Sequence, residues 1–145
     1  FRNFHFDHIM ANPPYLKKQS VVASPNPQKQ ITNIEGRALL SDWLKFAIEK
    51  VRVGGTITFV HRYDRRDEVV SGLAKGVGEI IVFPLWSRVI GREAKRVIVQ
   101  GKKGSNGKTI NSTGIVLYDD NGNFTTEANS ILRDVRELKL WATCE

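Results

Sequence analysis

Between two short apolar stretches lies a segment whose spacing limits what the chain can become. In GRALLSDWLKFAIEKV, residues 36–51, Leu40, Trp43, Leu44, Ala47 and Val51 recur at steps of three and four, which makes one apolar stripe along a helix. FDHIMA before it (6–11) and TITFVH after it (56–61) are rich in apolar, aromatic or β-branched residues and read as buried strands. Gly54 and Gly55 supply the expected stop after the helix. Asp64, with Asp67 three residues on, suits the N-cap of a short helix carrying Val69, Val70 and Leu73. Further strands are expected at 79–83 and 96–100. The order β–α–β–α–β implies a parallel sheet covered by helices. Beyond it come a polar loop over 101–112, a hairpin turning at Asp120-Asn121-Gly122, and a short terminal helix in TEANSILRDVREL.

Composition narrows the class. At 145 residues, 41% apolar and 26% charged, the chain suits one globular domain with a core of its own. No run approaches a membrane span, and none resembles a signal peptide. The single cysteine, Cys144, excludes an intrachain disulfide and a cysteine-based zinc site, and it suits a reducing cytoplasm. His5, His8 and His61 lack ligand spacing, so no metal is expected. Lysine and arginine number 22 against 15 acidic residues, a formal charge of +7, which favours a polyanionic partner.

The first strand ends oddly. After Ala11 come Asn12, Pro13, Pro14 and Tyr15: one amide, two rings without a backbone donor, and an aromatic face. Asn-Pro and Pro-Pro also punctuate ordinary turns. In a parallel sheet covered by helices, however, ligands bind beyond the carboxyl ends of the strands, and this corner stands at such an end. An exocyclic or amide nitrogen is a poor nucleophile because its lone pair is delocalised. A site that alkylates it must accept hydrogen bonds from the NH2 group as charge develops. The Asn12 side-chain oxygen and the Pro13 carbonyl offer two acceptors, Pro14 stiffens the corner, and Tyr15 offers a face for a flipped base.

DHIMANPPYL resembles the fourth motif of class I S-adenosylmethionine-dependent methyltransferases that modify amino or amide nitrogens. The segments ALLSDWLKFAIEKVRVGGTITFVH, REAKRVIVQGKKG and LYDDNGNFTTEANSIL are similar to those of the bacterial adenine-N6 methyltransferases acting on valine tRNA. The resemblance implies an α/β fold: a partial Rossmann-like methyltransferase sheet of C-terminal strands with flanking helices, the last strands antiparallel. Residues 1–145 would form the C-terminal portion of a single methyltransferase domain. That family binds its cofactor with a glycine-rich loop after the first strand and an acidic residue after the second. Neither precedes Asn12, so the N-terminal cofactor-binding half is expected to be lacking. Gly72, Gly76 and Gly78 close a helix and enter a strand, the reverse of a cofactor-cradling order. The resemblance assigns Asn12, Pro13, Pro14 and Tyr15 to catalysis, with Asn12 also touching S-adenosylmethionine in the full-length enzyme. The isolated chain is expected not to bind that cofactor.

The basic residues gather after the strands: Lys17 and Lys18 after the first, Arg62, Arg65 and Arg66 after the second, and Arg88, Arg92, Lys95 and Arg96 around the loop after the third. On one face with Asn12 they form an expected RNA-facing patch, with tRNA as partner. The alternatives are a release-factor glutamine-N5 methyltransferase, which shares the corner, and a non-catalytic half-domain or RNA-binding module. An open first strand further implies pairing with the N-terminal half of the same enzyme. For the isolated chain it implies a homodimer around that strand and Leu40, Trp43 and Leu44.

Overall fold

The computed structural model describes residues 4–14 and 38–140. Its elements are β1 (Phe6–Ala11), α1 (Leu40–Lys50), β2 (Val51–Arg62), a 3-10 turn (Tyr63–Arg65) running into α2 (Arg66–Leu73), β3 (Gly78–Trp86), β4 (Ala94–Lys102), β5 (Ile110–Asn111), β6 (Ile115–Val116) and α3 (Thr126–Arg133). The fold is α/β and matches a partial methyltransferase-like sheet.

The sheet runs β1-β2-β4-β3-β5, with β6 also on β3. β1 and β2 are parallel, as are β3 and its short neighbours β5 and β6. The first three strands are parallel to one another as expected, and β4 is antiparallel, as expected of the last strands; it inserts between β2 and β3 and pairs with both. The loop over 87–93 is too short for a parallel crossover, so the chain returns alongside the strand it has just left.

α1 buries Leu40, Leu44 and Ala47 against the sheet, while Trp43 on the same predicted stripe stays 38% exposed. Burying each leucine contributes about 1.5–3 kcal/mol. Asp42 accepts the Leu39 backbone N–H at 2.8 Å and so caps the helix start. Gly54 and Gly55 do not end this helix. It stops at Lys50, β2 begins at Val51, and the Lys103 ammonium donates to the terminal carbonyls of Ile48 (2.6 Å) and Val51 (3.0 Å). The glycines instead sit in β2, where its register with β1 jumps from Phe6↔Val51 to His8↔Thr56. Asp64 caps no helix with its side chain: α2 starts at Arg66, and Asp64 bonds Arg62 instead.

α1 and α2 cover one face of the sheet over Val51, Ile57, Phe59, Val82, Val97 and Val99. On the other face α3 covers the β3 side through Ala128, packed with Phe83 and Ile115. Pro84 lies within β3, where its missing N–H would point to the β5 and β6 edge; Ser112 and Leu117 donate to Val82 and Trp86 on that same side. The ladder is broken there, between β5 and β6, so no bond is lost.

Candidate functional site

Because β1, β2 and β3 point the same way, their carboxyl ends meet at one edge of the molecule, and the amino end of antiparallel β4 joins them. The register makes this concrete: Ala11 pairs with Phe59, Arg62 with Arg96, and Leu85 with Arg96. Asn12 leaves β1 at this end exposed, Pro13 is buried behind it, and Pro14 is exposed. The corner thus exposes Asn12 while the buried Pro13 anchors it in the fold. Tyr15, Lys17 and Lys18 lie outside the described residues, as does Cys144.

Arg62, Arg65, Arg66, Arg88, Arg92, Lys95 and Arg96 are brought to this end by β2, β3 and β4 and the segments between them. Lys95 and Arg96 arrive at the amino end of β4, beside the loop that follows β3. Their charges are not equivalent. Arg62 grips Asp64 through Nε at 3.0 Å and Nη2 at 2.6 Å, and Arg65 grips Glu68 at 2.8 and 2.6 Å. Arg66 pairs with Asp67 and donates to the Tyr63 hydroxyl, with its guanidinium 4.7 Å from the Tyr63 ring centre. Among the described residues, none of these ion pairs involves Arg88, Arg92 or Lys95.

Beneath this surface His61 is wholly buried at the end of β2. Burial pushes its pKa below the ordinary 6.5, and the nearby Arg65 charge pushes it further; Glu68 and Asp64 oppose the shift. The ring is therefore neutral at pH 7 and belongs to the core.

Two clefts open at this end and share Lys95 and Arg96. One, of about 470 Å³, is lined by Arg62, Asp64 and Ala94 as well. The other, of about 630 Å³, adds Ser87, Arg88, Glu93 and Tyr118. A groove of about 500 Å³ between α1 and α2 lies in the helix layer instead. Tyr118 and Phe124, not singled out from sequence, stack with centres 5.1 Å apart at an interplanar angle of 21°. The available signal was an aromatic on either side of the DDNGN turn.

The glycines of GLAKGVG do not form a cofactor cradle. A Cβ at Gly72 would meet Leu44, at Gly76 Ile48, and at Gly78 the Ser105 carbonyl, so the chain itself fills those spaces. Among the described residues Asn12 is left as the candidate for the cofactor's edge.

No protein-family model matches the chain, and no curated protein matches it in sequence. In structure it is similar to a predicted O-methyltransferase, Atu636 of Agrobacterium tumefaciens, at a TM-score of 0.66 and 20% identity. The match covers 88% of this chain and 50% of that one, so the chain spans half the length of the solved neighbour. At that identity the likeness is one of fold. Among the described residues no helix is long and apolar enough to cross a membrane.

Proposed function

We propose that the chain is the acceptor-side part of an S-adenosylmethionine-dependent N-methyltransferase whose target is an adenine N6 in tRNA. The observation that carries this reading is the shared edge: the Asn12-Pro13-Pro14 corner leaves β1 where Arg62 and Arg96 close the β2–β4 ladder. A methyl acceptor at the corner and a phosphate backbone along the edge would then be held at once.

The structural neighbour is named for transfer to oxygen. A hydroxyl has one proton to be accepted, whereas a primary amine has two. The corner pairs two acceptors, the Asn12 side-chain oxygen and the Pro13 carbonyl, which suits the amine. As the nitrogen gains positive charge its N–H groups become stronger donors to both oxygens, and such interactions lower the barrier because they strengthen in the transition state. S-adenosylmethionine supplies the methyl group when bound in the full-length enzyme. Tyr15 is assigned to stack on the target base.

The charge surplus of +7 favours tRNA over the glutamine of a release factor, which the same corner would accept. The test is methyl transfer by the full-length protein, with labelled S-adenosylmethionine and either bulk tRNA or a release factor. Label in tRNA adenine is the expected result. Label in the release factor alone would end the tRNA reading.

A further inference from the structure

The hairpin after β6 is built more firmly than a loop needs. The Asp119 carboxylate accepts the N–H groups of Asn121 and Asn123, each at 2.9 Å, and Gly122 turns the chain at a φ of 83°. The Asp119 N–H donates to Asn123, and Thr125 donates its N–H to Leu117 and its hydroxyl to Val116. The hairpin is also tied to the β3–β4 loop: the Tyr118 N–H reaches the Ser87 carbonyl at 3.0 Å, and the Ser87 N–H reaches Glu93 at 2.7 Å. These bonds frame the Tyr118–Phe124 stack, whose residues remain 37% and 39% exposed. Tyr118 lines the same cleft as Arg88, Lys95 and Arg96, against one acid, Glu93.

We infer that this cleft is a second nucleotide subsite, in which a base near the target in single-stranded RNA stacks on Tyr118, itself backed by Phe124, while Arg88, Lys95 and Arg96 hold its phosphate. The combination of a rigid, exposed aromatic face with several cations is how single-stranded nucleic acid is bound without base pairing. The subsite is distinct from the corner. β2, β4 and β3 lie between β1 and β6, from which the chain runs to Tyr118, and this sets the two about 19 Å apart across the sheet end at roughly 4.8 Å per strand. The nucleotide stacked there therefore belongs to the same strand as the methylated one without being next to it. A stack that merely stabilised the hairpin would not require cations beside it, nor would it affect RNA affinity when changed.

This inference deepens the RNA reading and rests on it, and two readouts separate them. The first is anisotropy of the 145-residue chain with a fluorescein-labelled single-stranded RNA of about a dozen nucleotides, for wild type, Tyr118→Ala, Tyr118→Phe and Arg88→Gln/Lys95→Gln. Tyr118→Ala should weaken binding on the order of 5- to 100-fold, Tyr118→Phe should restore it, and the charge variant should weaken it and flatten its salt dependence. The second is quenching of an RNA carrying 2-aminopurine, which reports stacking in the unaltered protein even if Tyr118→Ala fails to fold. Binding that depends on Arg88 and Lys95 without quenching or any loss in Tyr118→Ala would overturn the subsite and leave the RNA reading standing. No RNA binding by the wild-type chain would overturn both.

Discussion

Arg62 in β2 and Arg96 in β4 are register partners at the last rung of their ladder. Like charges directly opposite repel, and the Asp64 carboxylate, bonded twice by Arg62, relieves the contact. Arg62 is thus paired with an acid and lines one cleft, whereas Lys95 and Arg96 line both. Lys95→Gln with Arg96→Gln should weaken tRNA binding and lower the slope of log affinity against log salt by about 1.4, or 0.7 per single-stranded phosphate contact. Arg62→Gln should change that slope little. A slope unaltered in the double variant would remove these two side chains from the interface.

Asn12 is exposed at the end of β1 and stands on the buried Pro13. In the full-length enzyme Asn12→Ala should lower kcat by on the order of a hundredfold or more, the scale of losing one group that stabilises developing charge. The affinity for tRNA should stay within about threefold, since the phosphate contacts lie elsewhere. Single-turnover methylation at saturating tRNA gives the measurement, and an unchanged rate would make the corner a mere turn.

At Gly55 a Cβ would come within 2.5 Å of the Asp7 carbonyl oxygen and 2.7 Å of the Val51 side chain. Gly55→Ala should therefore destabilise the chain by about 1–3 kcal/mol through the β1–β2 contact. Gly54 has open space around it but a φ of 82°, so Gly54→Asn should be tolerated better. Urea unfolding of the two variants compares them, and equal midpoints would contradict the close approach.

His61 is neutral in the fold because burial and Arg65 lower its pKa. An unfolded histidine titrates near 6.5, so its contribution is fully present above that pH. As pH falls through 6.5 towards the lower folded value, the unfolded chain takes up a proton that the folded chain does not, and stability declines. The urea midpoint should be lower at about pH 5.5 than at about pH 7.5, and His61→Phe should remove most of the difference. Equal wild-type midpoints at the two pH values would be incompatible with a buried neutral ring.

β1 is the last strand of the sheet, and among the described residues it pairs with β2 alone. Met10 and Phe6 on it are 78% and 41% exposed, and Phe4 just before it is 65% exposed. Leu40 and Leu44, expected at a self-association surface, are buried within the chain itself and take no part in one. We expect the isolated chain to dimerise through the β1 edge and these side chains, two copies covering each other. Sedimentation at micromolar concentration should show a dimer that Met10→Lys weakens; a stable monomer of the unaltered chain would refute it.

The α1 stripe, the strands around 6–11, 56–61, 79–83 and 96–100, and the Asp120-Asn121-Gly122 turn were legible because each rests on local period or turn chemistry. Their common edge was partly legible as well, since strands alternating with helices point the same way. The place of β4 between β2 and β3 was not: its neighbours depend on pairing between segments far apart in the chain, and a short loop can return on either side. The end of α1 was misread for the same reason. Gly54 and Gly55 carry the local signature of a helix stop, yet a lysine from another part of the chain, Lys103, caps the helix and leaves the glycines to serve β2.

The sequence by itself determined which groups stand at the corner, because an amide followed by two prolines at the end of a strand is fixed by the local order of residues. Only the tertiary structure decided which cations remain for a ligand and which aromatic faces stand beside them. Asp64 and Glu68 engage Arg62 and Arg65, while the bonds from Tyr118 to Ser87 and from Ser87 to Glu93 draw Tyr118 into the cleft of Arg88 and Lys95. Pairing of charges and stacking of rings are settled by distances of a few ångströms, and those distances exist only once the sheet has closed.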